Sequence, residues 1–260
     1  MNPYIVSLLA LSAVFGAGLL GIVLQRFLPA DHQKDGTKES VRIGMGMVAT
    51  MSALILGILV ASAKGSYDVE KAEVIQLGAK ITYLDRVLLN YGPEAKPVRV
   101  LLRQAVTGAI ERMWAESMDG SQMDPGAIWS EALPKAVQAL TPANDEQRAF
   151  KAQAISLGTE LGQMRWLLYE QADSSISHPL LIVVVSWLAL IMGSVGLFAP
   201  RNATAVIALF LASLSVSGAL FLILELDRPF DGLIRISRRP LVNSLVHLND
   251  TRLHGANPQP

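Results

Sequence analysis

The chain has no cysteine, which excludes disulfides, thiolate metal sites and cysteine nucleophiles. It also has little charge: 17% of its 260 residues are charged against 51% hydrophobic, a balance too apolar for an ordinary soluble domain. Neither sign dominates, with 22 basic and 22 acidic residues, so no overall field points to nucleic acid. No alternating strand pattern competes with the helical one. His32, His178, His247 and His254 keep no metal-ligand spacing, and no serine or threonine stands in a recognisable nucleophile motif. The sequence therefore offers no catalytic residue, no metal site and no cofactor to name, and an enzyme is not expected.

What is present is four long uncharged runs. Tyr4 to Leu24, Ile43 to Ala63, Pro179 to Ala199 and Thr204 to Leu224 each hold 21 residues without a charge. As helices rising about 1.5 Å per residue they reach roughly 31 Å, the thickness of a bilayer's hydrocarbon core. No basic residue precedes the first run and it outlasts a signal-peptide core, so it is expected to stay as a span. Its Gly16, Gly18 and Gly21 read as packing glycines. A mixed-charge stretch from Gln25 to Arg42 reads as a connecting loop. The last two runs, separated by four residues, are expected to form a tight transmembrane hairpin.

The second run organises the rest. Arg42 and Lys64 bracket it, where long basic side chains reach the headgroups. Within it Gly46, Thr50, Ala53, Gly57 and Ala61 recur at steps of three and four, so one face carries little side chain. Such a stripe allows helices to pack closely, or it faces an axis shared by several subunits and leaves room for an ion. Ala208, Ala212, Ser215 and Ala219 repeat the pattern in the fourth run.

After Lys64 the composition becomes that of a soluble helical domain. Val74, Leu77, Ile81, Leu84, Leu88 and Tyr91 form a heptad-like seam ending at Gly92-Pro93. Val98, Leu102, Val106, Ala109 and Met113 mark a second helix, from about Glu94 to Met118. A short helix is expected around Trp129. A third long helix, from about Asn144 to Glu170, carries Phe150, Ala154, Leu157, Leu161, Met164 and Leu168. These faces are expected to bury one another, the alternative being that one seam packs between subunits.

The expected fold is all-α, with four transmembrane helices and a helical cytoplasmic domain inserted between the second and third spans. Its parts are residues 1–64 with the first two spans, 65–178 the helical domain, 179–226 the last two spans, and 227–260 a polar tail. Four spans put both termini and the domain on one side, which the distribution of Lys and Arg assigns to the cytoplasm. Glu225, Asp227 and Asp231 are the one acidic cluster near a membrane end; with Arg228 among them they read as a solvated helix terminus rather than a cation site. The tail's Arg235, Arg238 and Arg239 either meet anionic headgroups or stand in solvent.

Several stretches resemble the bestrophins. Ala63-Lys64-Gly65-Ser66-Tyr67-Asp68, with Glu70 after it, is similar to the bestrophin segment where the second transmembrane helix enters the cytoplasm. Glu225-Leu226-Asp227-Arg228-Pro229-Phe230-Asp231-Gly232 resembles the acidic Pro-Phe-Gly segment that follows the last bestrophin span. With Leu197-Phe198-Ala199-Pro200-Arg201-Asn202 and Leu233-Ile234-Arg235-Ile236-Ser237, nearly the whole chain looks like a bacterial bestrophin-like membrane protein. That resemblance implies a homo-oligomer, a pentamer, in the bacterial inner membrane. It also implies passive conduction of an inorganic ion, an anion such as chloride, along the second helices. Gly46, Thr50, Ala53, Gly57 and Ala61, or the bulkier Met47, Met51, Leu54 and Ile58 beside them, become the pore-lining candidates, and Arg42 and Lys64 the pore-mouth charges. The second helix lacks the bulky aromatics of a bestrophin neck, and the last span is not followed by the dense acidic run of calcium-gated members. The alternative function is a non-conducting membrane scaffold whose helical domain binds a partner.

Overall fold

The computed structural model describes residues 2–29, 35–114, 132–172 and 178–254. All its regular elements are helical: α1 Pro3–Leu24, α2 Asp35–Tyr91, α3 Lys96–Met113, α4 Ala132–Gln138, α5 Asp145–Ala172, α6 His178–Phe198, α7 Ala203–Leu226 and α8 Arg239–His254, with a 3-10 turn at Pro93–Ala95. Four of them, α1, α2, α6 and α7, are long and apolar enough to cross a membrane. Two compact units result, one of Met1–Tyr67 with Ile176–Arg228, the other of Asp68–Ser175 with Pro229–Pro260. The expected helix around Trp129 lies outside the described residues.

In the first unit α1 starts at an Asn2 cap, whose Oδ1 accepts the Tyr4 N–H at 3.1 Å, with Pro3 at its first position. It packs against both α6 and α7. The α1–α6 approach is made backbone to backbone. A methyl group on Gly21 would stand 2.2 Å from the Gly193 carbonyl oxygen, and one on Gly196 2.0 Å from that of Gly18. Lipid supplies little hydrophobic drive between helices, so this close packing has to hold them together.

Against α7, Ser217 Oγ donates to the Ser7 carbonyl at 2.6 Å, while Tyr4 meets Phe221 and Phe15 meets Phe210. Val14, Val184, Leu188 and Ile223 then close a small core with Leu59 and Ala63 of α2. Two other hydroxyls in these apolar helices turn back on their own carbonyls, Ser52 to Val48 and Ser213 to Leu209 at 2.8 Å each, so neither of these buried donors is stranded.

Two expectations shift in this unit. The stretch read as a loop up to Arg42 is already helical from Asp35, which puts a carboxylate in the first turn, where the helix dipole favours it. The small-residue stripe of α7 is not its packing face, which is Leu209, Ser213, Ser217 and Leu220.

In the second unit the heptad-like seam is buried throughout: Val74, Leu77, Ile81, Leu84, Leu88 and Tyr91 are at most 2% exposed. Val98, Leu102, Val106, Ala109 and Met113 of α3 are buried too, as are Ala154, Leu157, Leu161 and Leu168 of α5. The turn out of α2 depends on Gly92, whose φ of +123° is open to glycine alone at little cost. Beside it Gln147 Nε2 donates to the Tyr91 carbonyl at 2.9 Å, tying α5 to the end of α2.

Asp85, buried within the seam, accepts a two-pronged bond from Arg99 of α3 at 2.6 and 3.0 Å. Lys80 donates to Glu160 of α5, and that hydrogen bond first, then the charge of Lys80, holds the Glu160 carboxyl below the usual carboxylate range. The residues read as a polar tail are a structural part of this unit. Ile236, Leu241, Ser244 and Leu248 are buried, and the Pro240 carbonyl approaches so near Gly78 that a methyl group there would stand 2.9 Å from its oxygen.

Gly196→Val is expected to lower stability by about 1–3 kcal/mol or more through overpacking. Gly16→Ala, where an added methyl meets nothing within 4 Å, should be neutral in the same thermal melts of the detergent-solubilised protein. The Lys80–Glu160 pair sets a pH dependence. Because the Glu160 value is lowered on folding, its contribution is present above the ordinary carboxylate range and lost as pH falls through the lowered value. Glu160→Gln should therefore melt below the unsubstituted protein at neutral pH, with the gap closing on acidification.

Candidate functional site

The membrane part of α2 is the most open of the four apolar helices. Within the chain 11% of its most apolar window is buried, against 28, 22 and 28% for α1, α6 and α7. What it buries lies on one side: Ser52, Leu59 and Ala63 are enclosed, with Ile55 and Leu56 partly so. At about 100° per residue these positions gather around one direction. Gly46, Thr50, Ala53, Gly57 and Ala61 fall within an arc of about 80° on the opposite side. All five are exposed.

The glycines on this face support no neighbour, since a methyl group on Gly46 or Gly57 would meet nothing within 4 Å. Thr50 Oγ1 donates to the Gly46 carbonyl at 2.9 Å, so its hydroxyl is turned onto the helix. The bulkier Met47, Met51, Leu54 and Ile58 run along one edge of the stripe and are also exposed, each by more than half. One side of this helix is thus committed to α1, α6 and α7, and the other is left open among the described residues.

The charges at its ends are separated. Arg42 and Lys64 are both exposed and lie about 33 Å apart along the helix axis. The Lys64 ammonium stands 5.2 Å from the centre of the Tyr67 ring, a cation–π contact within the segment that resembles bestrophins. No ionisable group intervenes between Arg42 and Lys64. The open face of this stretch is suited to packing or to passage.

The three acidic residues near the end of the fourth span are divided between the two units. Glu225 is fully buried at the end of α7 and Asp227 is half-buried, both in the first unit. Asp231 belongs to the second unit and is exposed, its carboxylate accepting the Gly232 N–H at 2.9 Å. Among the described residues no group of three or more histidines and carboxylates is placed to hold a metal.

Sequence reasoning missed two features. The Asp85–Arg99 pair was signalled only by an acid inside the apolar seam next to Leu84. The lock on the chain after the fourth span gave less warning: Trp114 Nε1 donates to the Ile236 carbonyl at 2.9 Å, and its ring meets Phe230 edge-on at 5.6 Å. Nothing local couples two residues 122 apart.

A family model described as a Bestrophin-like domain matches residues 11–241. No curated protein and no solved structure matches the chain.

Proposed function

The chain belongs to the bestrophin-like family, and from that premise we propose that it is an oligomeric ion channel, conducting passively through a pore lined by the second helices. Its four span-length apolar helices and its family make it an integral membrane protein. In this reading several copies, five by family resemblance, turn the small-residue stripe of α2 toward a common axis. Gly46, Thr50, Ala53, Gly57 and Ala61 line the narrow part, with Met47, Met51, Leu54 and Ile58 at its edge. Such an apolar constriction gates by dewetting, and Arg42 and Lys64 at the mouths favour anions. The stalk forms a vestibule on the cytoplasmic side, where both termini lie, and no covalent chemistry is performed.

The observation that carries this reading is the two-sidedness of α2. Its packing face is filled by the chain's own residues, and its stripe of small residues is left open along the length of the apolar run. A scaffold acting through the stalk seam is disfavoured, because Ile81 and Leu84 are 0% exposed inside the chain.

In liposomes with separate chloride and potassium gradients, Gly57→Trp should abolish flux while leaving the oligomer mass unchanged. Unaltered flux from an intact multimer removes α2 from the pathway. The lack of native cysteine also permits a cleaner test. In membranes Gly57→Cys should react with a water-soluble thiol reagent and Leu59→Cys should not; equal silence at both positions means that the stripe meets lipid or protein rather than water.

A further inference from the structure

The chain leaving the fourth span is folded tightly and yet displays an apolar side chain. Ile236 N–H donates to the Pro229 carbonyl at 2.7 Å, Arg235 Nε donates to the Gly232 carbonyl at 2.7 Å, and Phe230 and Ile236 are held by Trp114. On this closed loop Leu233 is 70% exposed. Arg235, Arg238 and Arg239, all exposed, follow it. From Gly232 to Asn249 there is no acidic residue. Arg239 opens α8, the end at which the helix dipole disfavours a cation, so the local rules of helix stability do not explain the cluster.

An exposed leucine flanked by arginines matches the chemistry of a membrane surface, where the apolar group enters the acyl boundary and the cations meet phosphate. The loop is also tethered to the bilayer by connectivity. Pro229 follows Leu226, the last residue of α7, by three residues, a reach of about 10 Å, and the Ile236 bond returns the chain to Pro229.

We propose that Leu233, with Arg235, Arg238 and Arg239, forms a membrane-surface contact that takes the headgroups of anionic phospholipids. The contact rests on the membrane placement of the spans and not on conduction. Its assay reads lipid contact without ion flux, so the two readings fail separately.

The full chain, with Leu233→Cys as its single thiol, is labelled with an environment-sensitive fluorophore. It is placed in nanodiscs of phosphatidylcholine with or without phosphatidylglycerol. The emission should move to that of an apolar environment when phosphatidylglycerol is present, and Arg235→Gln/Arg238→Gln/Arg239→Gln should remove that dependence. In the unlabelled protein the same triple substitution should reduce phosphatidylglycerol enrichment by about fivefold per arginine, with oligomer mass and melting temperature unchanged. Water-like emission in both lipids overturns the proposal. So does a shift that ignores lipid charge and the arginines, or unaltered enrichment in the triple variant.

Discussion

The backbone contact between α1 and α6 is the constraint on which the membrane unit rests. Where Gly21 faces the Gly193 carbonyl and Gly196 faces the Gly18 carbonyl there is no room for a methyl group on Gly21 or Gly196, so the two helices meet backbone to backbone. In lipid that closeness replaces the hydrophobic drive that water supplies elsewhere. Once α1 and α6 are joined, α7 completes the set through the Ser217 bond to Ser7, and α2 is left to contribute one side only, through Leu59 and Ala63. The openness of the small-residue stripe is a consequence of how the other three helices satisfy one another.

The second unit is held by different physics. There the seam of α2 is driven out of water, and polar pairs fix which helix lies beside it: Arg99 on Asp85, Glu160 on Lys80, Gln147 on the Tyr91 carbonyl. A partly buried pair such as Asp85–Arg99 adds less to stability than to the choice of neighbour and register, because desolvation offsets much of the attraction. One uninterrupted helix, Asp35–Tyr91, serves both regimes, and its composition changes at Lys64 where the surroundings are expected to change.

Much of this was legible in the sequence because it is periodic. The four uncharged runs and the seam from Val74 to Tyr91 repeat with the helical period over many turns, and the structure makes each of them helical. The arc formed by Gly46 through Ala61 was likewise fixed by spacing. What that face looks onto was not, because the answer lies in lipid or in another copy of the chain. Short or interrupted signals were lost: Leu241, Ser244 and Leu248 of α8 do repeat at steps of three and four, but a serine in the middle and arginines in front made the stretch read as solvated. The stripe of α7 misled for the opposite reason, since small residues permit close contact without requiring it.

That α8 closes the helical unit has a bearing on how the protein is made. Leu241 and Leu248, fully or almost fully buried, belong to a core whose other walls are translated long before them. From the end of α5 to Leu241 the ribosome adds about 70 residues, which at roughly 5–20 per second takes on the order of ten seconds. Two transmembrane helices must be delivered to the bilayer in that interval. The nascent helical unit therefore waits, with part of its apolar interior uncovered, for a final helix that emerges only after membrane insertion is under way, and its maturation is coupled to that of the spans by the order of synthesis alone.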